Sequence, residues 1–318
     1  MRANDAARVR AVLERRPELR GRLDDALPGY GFGETALIAA VHHSDREMVD
    51  ALLAAGADID ARSHWWAGSF GVLDRESDLV PYLIERGATV DAHAAARHGM
   101  LERLEALLAA DPALVHARGG DGQMPLHLAA TVPIADALLA RGADIDALDV
   151  DHESTPAQYL VRDHTDVARH LVARGCRTDV LMAAALGDVE RVRRHLDADP
   201  ACIRMSVSNR SFPKRNLHSG GTVYIWTLGW NKTPHRVARD FGHEEVFRLL
   251  MERSPLELRL AVVGELGDEA EMNRLLSEHP GLVRSLTSED RGHVVNAAQS
   301  NDARACVPCF APAGPRMR

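Results

Sequence analysis

Apolar residues in this chain come in short runs that recur, each closed by the same turn-forming punctuation. One pair of runs reads Thr35-Ala-Leu-Ile-Ala-Ala-Val-His-His and then Met48-Val-Asp-Ala-Leu-Leu-Ala-Ala-Gly56-Ala-Asp-Ile-Asp60. The second run returns as Pro81-Tyr-Leu-Ile-Glu-Arg-Gly87-Ala-Thr-Val-Asp91, as Ala137-Leu-Leu-Ala-Arg-Gly142-Ala-Asp-Ile-Asp146, and as His170-Leu-Val-Ala-Arg-Gly175-Cys-Arg-Thr-Asp179. The first returns as Met124-Pro-Leu-His-Leu-Ala-Ala130, Thr155-Pro-Ala-Gln-Tyr159 and Thr233-Pro-His-Arg-Val-Ala238. Gly56 and Gly87 are 31 residues apart, and Gly142 and Gly175 are 33 apart. Thr-Pro predicts a helix start, with Thr as the cap and Pro in the first turn, where a missing N–H costs nothing. The Gly after each second run predicts a left-handed helix stop. The elements are therefore helix pairs repeated along the chain.

A second flavour alternates with the first. It reads Ala94-Ala-Ala-Arg-His-Gly99 followed by Leu107-Leu-Ala-Ala-Asp-Pro112, then Ala183-Ala-Ala-Leu-Gly-Asp188 followed by Leu196-Asp-Ala-Asp-Pro200. A third copy is Ala261-Val-Val-Gly-Glu-Leu-Gly-Asp268 with Leu275-Leu-Ser-Glu-His-Pro280, and Val9-Arg-Ala-Val-Leu-Glu-Arg-Arg-Pro17 is the second helix of another. Here Pro ends the second helix where Gly caps it elsewhere.

These segments resemble ankyrin repeats, whose mark is a Thr-Pro-Leu-His-x-Ala helix start in a unit of about 33 residues. The resemblance is to bacterial ankyrin-repeat proteins and covers nearly the whole chain. It implies an all-α fold, an α-solenoid of about 9–10 helix pairs. It also implies protein–protein binding through loops and the concave helix face. We expect one array over residues 1–305, interrupted by a β-like finger near 203–232, and a non-repeat, disordered tail over 306–318. His127 is expected to be the turn histidine that bonds neighbouring backbone.

Composition narrows the picture further. The 318 residues carry 38 Lys plus Arg against 46 Asp plus Glu, a net charge of −8. That balance argues against a general nucleic-acid binder. Only 14 residues are aromatic, too few for a sandwich or barrel. No apolar run is long enough to cross a bilayer, and four cysteines make no disulfide scaffold, so a cytoplasmic location is expected.

Candidate chemistry lies where the repeat is broken. Between Asp199 and Asp240 there is no carboxylate but seven cations: Arg204, Arg210, Lys214, Arg215, Lys232, Arg236 and Arg239. The same span holds Phe212, Tyr224, Trp226 and Trp230, and Thr222-Val-Tyr-Ile-Trp-Thr-Leu228 has the composition of a strand between glycine turns. The other break, residues 62–71, contains Trp65 and Trp66. All four tryptophans thus fall in the two interruptions.

Two accounts of these residues stay open: packing within enlarged loops, or a cationic, aromatic surface. On the second account Trp65, Trp66, Arg210, Lys214, Arg215, Trp226 and Lys232 bind a protein partner, an acidic one. The alternative function is a small-molecule or anion binder, or an unusual enzyme, using a pocket between the 62–71 loop and the 201–239 insertion. No catalytic residue, metal site or cofactor is expected. The histidines lack ligand spacing and Cys306-x-x-Cys309 has no partner pair; Asp149, Asp151, His152 and Glu153 form a polar cluster that could do acid–base work but reads as an exposed capping loop.

The C-terminus breaks the pattern altogether. Val294-Val-Asn-Ala-Ala-Gln-Ser-Asn-Asp302 continues the second flavour, and Ala303-Arg304-Ala305 should open a helix. Instead residues 306–318 contain three prolines, which no helix of this type accommodates. Read with GC-rich codons one base earlier, the same stretch encodes a second helix and a glycine cap. We therefore expect a shifted reading frame there, with Cys306-x-x-Cys309 its by-product. Resequencing the gene should reveal the shift; an uninterrupted frame through Arg318 on independent reads removes the expectation.

Overall fold

A computed structural model of the chain describes residues 5–288 and 290–292, and every regular element among them is helical. The expectations for 294–318, including the tail and Cys306-x-x-Cys309, lie outside the described residues. The chain divides into two compact units. One gathers the residues up to Arg177 together with Lys214–Val223, the other Thr178–Pro213 and the residues from Tyr224 onward.

The first unit contains α1 (Ala6–Arg15), α2 (Ala36–His42), α3 (Arg46–Ala54), α4 (Val80–Glu85), α5 (Ala92–Arg97) and α6 (Leu101–Ala110). It continues with a 3-10 turn at Pro125–Leu128, α7 (Val132–Ala140), α8 (Pro156–Leu160) and α9 (Thr165–Ala173). The second unit contains α10 (Val180–Leu186), α11 (Val189–Ala198), α12 (Pro234–Asp240), α13 (Glu244–Arg253), α14 (Leu256–Leu266), α15 (Glu269–Glu278) and α16 (Leu282–Ser285). Within each unit these are the expected ankyrin-type helix pairs.

Local chemistry sets the boundaries. Thr35 and Thr233 accept from the backbone three residues on, and Thr155 donates its N–H to Gln158 in a capping box. At the other end the repeated glycine adopts positive φ: 101° at Gly56 and Gly87, 88° at Gly142 and 96° at Gly175. The next N–H then reaches back five residues, from Ala57 to Leu52, Ala88 to Leu83, Ala143 to Leu138 and Cys176 to Leu171, at 3.0–3.1 Å. This is one glycine-dependent stop used four times. In the other flavour α6 and α11 end at Asp-Pro, where Asp111 and Asp199 accept from Ala113 and Ala201 and start a 3-10 turn.

Stacking buries a recurrent leucine from each pair: Leu52, Leu83, Leu104, Leu138 and Leu171 in the first unit, Leu196 and Leu250 in the second. Successive loops are also joined through the last Asp of the Gly-Ala-Asp-Ile-Asp segment. Asp60 accepts from the Thr89 N–H at 2.8 Å, and Asp146 accepts from the Arg177 N–H at 2.8 Å.

The β-like finger is corrected. Residues Ile225–Gly229 form a single π-helical turn, and no strand occurs among the described residues. A strand would place Tyr224, Trp226 and Leu228 on one face. Burial instead follows Val223, Tyr224, Thr227 and Leu228, while Trp226 is 72% exposed. That spacing belongs to a helical turn seated on one side. The strand-like composition reflects tight packing of Tyr224, whose ring meets Phe212 at 5.4 Å and whose hydroxyl donates to Asp179 at 3.1 Å.

Leu171→Ala should cost about 2–5 kcal/mol in denaturant unfolding, because it empties a fully buried contact. Trp226→Ala should stay within about 0.5 kcal/mol. Equal losses for the two would contradict this placement.

Candidate functional site

The 61–79 segment replaces the first helix of its repeat and is held by its own polar contacts. Ser63 and Phe70 exchange hydrogen bonds, with the Ser63 N–H donating to the Phe70 carbonyl at 2.7 Å and the Phe70 N–H to the Ser63 hydroxyl at 3.0 Å. Arg62 donates to Ser69 and to the buried Asp74 carboxylate at 2.8 Å. Gly68 is required: its φ is +142°, and a Cβ there would lie 2.1 Å from the Gly119 carbonyl oxygen. The loop turns Trp65 inward, where its ring meets Phe32 at 4.8 Å and its Nε1 donates to Asp121 at 2.9 Å. Trp66 points outward, 43% exposed, beside His218 at 6.0 Å.

His218 belongs to Lys214–Val223, which is laced to the loop 149–154. The Gly220 N–H donates to the Asp151 carbonyl and carboxylate at 3.0 and 2.9 Å, and the Val223 N–H donates to the Ser154 hydroxyl at 3.0 Å. The Arg215 and Asn216 N–H groups both donate to the Glu153 carboxylate. Asp149 in turn accepts from the His152 N–H, the Ser154 N–H and the Tyr159 hydroxyl at 2.7–2.9 Å. The loop 149–153 is therefore not an exposed cap: Asp149 and Asp151 are each 4% exposed. The covering segment comes from far along the chain, which local reading cannot see.

The predicted cationic patch is partly paired: three carboxylates meet four of its seven cations. Lys232 and Arg236 both pair with Asp240, at 2.8 and 2.9 Å, Arg239 pairs with Glu244, and Arg204 pairs with the buried Asp290. Lys214 donates to the Ser219 carbonyl at 2.6 Å. Arg210 and Arg215 lie exposed on the second and first unit respectively. Of the seven predicted residues, Trp65, Trp66, Lys214 and Arg215 fall in the first unit, and Arg210, Trp226 and Lys232 in the second.

One cluster was only partly visible in the sequence, which marked Asp151 and His152 but not Asp121. Asp121, Asp151 and His152 bring one donor atom each within 4.8 Å of one another. Burial pushes the Asp121 carboxyl up to about 6; the neighbouring carboxylates push the same way, and His152 and the Trp65 hydrogen bond oppose them. Asp149 is raised by burial as well. The usable signal was position within the repeat: Asp121 and Asp151 sit 30 residues apart in successive loops, so stacking makes them neighbours.

His127 takes its expected structural place. Its Nδ1 accepts from the Met124 N–H at 3.1 Å, so Nε2 carries the hydrogen toward the Ser154 carbonyl at 3.2 Å. Burial holds this neutral ring well below the usual imidazole range, at about 4.

Comparison with known families agrees with the helix-pair architecture. Residues 92–182 match ankyrin repeats (3 copies), and residues 32–64 match a single ankyrin repeat. No curated protein matches the sequence. The chain thus carries ankyrin repeats, units that generally mediate protein–protein interaction and are typically non-enzymatic. No helix among the described residues is long and apolar enough to cross a membrane.

The His127 shift gives a signed pH dependence. The unfolded ring takes a proton near pH 6.5 and the folded ring only near pH 4, so the unfolded state binds more protons between them. Stability is full above about pH 6.5 and falls toward pH 4, by up to roughly 3 kcal/mol. Denaturant melts across this range should show the loss, and His127→Asn should flatten it. An NMR titration of the His127 ring near pH 6.5 would contradict the assignment.

Proposed function

We propose that the protein is a non-enzymatic binding scaffold that engages a protein partner through its two repeat interruptions. One observation carries this reading. The large hydrophobic side chains exposed among the described residues are Trp66 at 43%, Leu217 at 93%, Trp226 at 72% and Trp230 at 48%. Every one of them comes from an interruption, and none from a repeat helix. Exposed tryptophan on a rigid support is the commonest anchor of a protein interface. Ankyrin repeats supply that support and the general mode of action.

On this reading Trp66 with Leu217 anchors the partner on the first unit, and Trp226 with Trp230 on the second. Arg215, exposed two residues from Leu217, adds positive charge there and favours an acidic partner, as does the cationic stretch that includes Arg210. Trp65, Lys214 and Lys232 serve by holding the loops in shape. The small number of cysteines, with no disulfide at Cys176 or Cys202, fits a reducing cytoplasm.

A partner captured from the native host should lose at least about tenfold in affinity against Trp66→Ala, a change of roughly 1.4 kcal/mol. Arg215→Glu should act mainly on association, more strongly at low salt. If Trp66→Ala, Leu217→Asp, Trp226→Ala and Trp230→Ala all leave that affinity unchanged, the interruptions are not the binding surface.

A further inference from the structure

The geometry points to a divalent-cation site of the zinc class formed by Asp121, Asp151 and His152 in the first unit. The imidazole settles the first ligand. His152 Nδ1 lies 2.8 Å from the Gly221 carbonyl oxygen, which can only accept. Nδ1 therefore carries the hydrogen, which leaves Nε2 as the nitrogen available to a metal. A metal-bound histidine is oriented by the same kind of bond, its second nitrogen donating to a backbone carbonyl.

Nε2 faces Asp151 Oδ2 at 3.7 Å and Asp121 Oδ2 at 3.9 Å. Both distances are too long for hydrogen bonds. Meanwhile the other oxygen of each carboxylate is held from outside the trio: Trp65 Nε1 donates to Asp121 Oδ1 at 2.9 Å, and the Gly220 N–H donates to Asp151 Oδ1 at 2.9 Å. Three donor atoms thus converge without bonding one another, each aimed by a separate partner. Two bonds of about 2.1–2.2 Å meeting at 110–120° separate their donors by roughly 3.4–3.8 Å. The two Nε2–carboxylate distances need a few tenths of an ångström of closure to match, and all three donor atoms lie within 4.8 Å of one another.

The donor set selects the ion. One imidazole nitrogen and two carboxylate oxygens form a mixed set that suits Zn²⁺, and Zn²⁺ binds such donors more tightly than Mn²⁺ or Fe²⁺. Two carboxylates balance its charge, and their side chains are 13% and 6% exposed, so unbalanced they repel in a poorly solvated site. Three protein ligands leave a coordination position for water. The ion would also fasten Lys214–Val223, because Gly220 and Gly221 hold Asp151 and His152. This inference is independent of the partner-binding reading, since Trp66 and Leu217 supply no ligand.

Isothermal titration of the EDTA-treated, dialysed full chain with Zn²⁺ tests it, with Co²⁺ absorption as a readout that needs no variant. We expect one equivalent bound, with a change in tryptophan fluorescence from Trp65. Trp65→Phe, which removes the bond to Asp121 and keeps an aromatic ring beside Phe32, should weaken binding about 10–100-fold, and Asp151→Asn or His152→Gln should weaken it more. Asp136→Asn, an exposed carboxylate, should change nothing. Bound Co²⁺ should show the intense visible bands of a four- or five-coordinate ion. No stoichiometric Zn²⁺ binding, a Co²⁺ spectrum like that of the aqueous ion, or wild-type affinity in folded Asp151→Asn and His152→Gln would each overturn the assignment. Partner binding that survives EDTA while Zn²⁺ binding is absent would discard the metal and keep the scaffold.

Discussion

A short helix pair has apolar residues on more faces than it can cover by itself, so each repeat depends on its neighbour for burial. That dependence explains why leucine returns at one place in each unit and why the facing positions are alanine. Leu104, Leu138 and Leu171 are all 0% exposed, and Ala94–Ala96 lie at most 1% exposed in the helix that starts their repeat. Small residues let the pairs approach; larger ones would hold them apart. The glycine stop serves the same constraint. It reverses the chain within two residues, so that the segment beginning Ala-Asp is placed to meet the next loop, as Asp60 meets Thr89.

Where the repeat is broken, burial has to be recovered by other means, and here polar contacts do it. The 61–79 segment has no first helix, yet the Ser63–Phe70 bonds and the Arg62–Asp74 pair give it a fixed shape. Loop 149–154 lies under Lys214–Val223 with its carboxylates accepting from backbone N–H groups. A buried carboxylate without such donors would be costly. Once those donors are in place, the leftover oxygens of Asp121 and Asp151 and the leftover nitrogen of His152 are constrained to face one another. The metal-type geometry is thus a consequence of how the interruption was covered.

The same coverage changes the meaning of the charge distribution. Seven cations without a carboxylate in their own stretch look like a positive surface. In the fold, Lys232 and Arg236 share Asp240, Arg239 meets Glu244 and Arg204 meets Asp290, so three carboxylates from just beyond that stretch or far along the chain offset part of its charge. With part of that charge offset, apolar exposure marks the interruptions more sharply than charge does. Tryptophan held at the surface, at a cost in hydration, is the better pointer to recognition.

Helix pairs, their starts at Thr-Pro and their stops at Gly or Asp-Pro were legible in the sequence, because each depends on residues within one turn of the boundary. The role of His127 and the two interruptions were legible for the same reason. The course of 222–228 was not, since strand and helical turn share the residues Val, Tyr, Ile and Trp and only the buried side, visible at Trp226, separates them. Nor was the division of Trp65 from Trp66, which follows from Asp121 reaching Nε1 across 56 residues. The Asp121–Asp151–His152 cluster and the ion pair of Arg204 with Asp290 likewise required the folded chain. Contacts made across a stack depend on register and loop path, and those are set only when each repeat is packed on its neighbour.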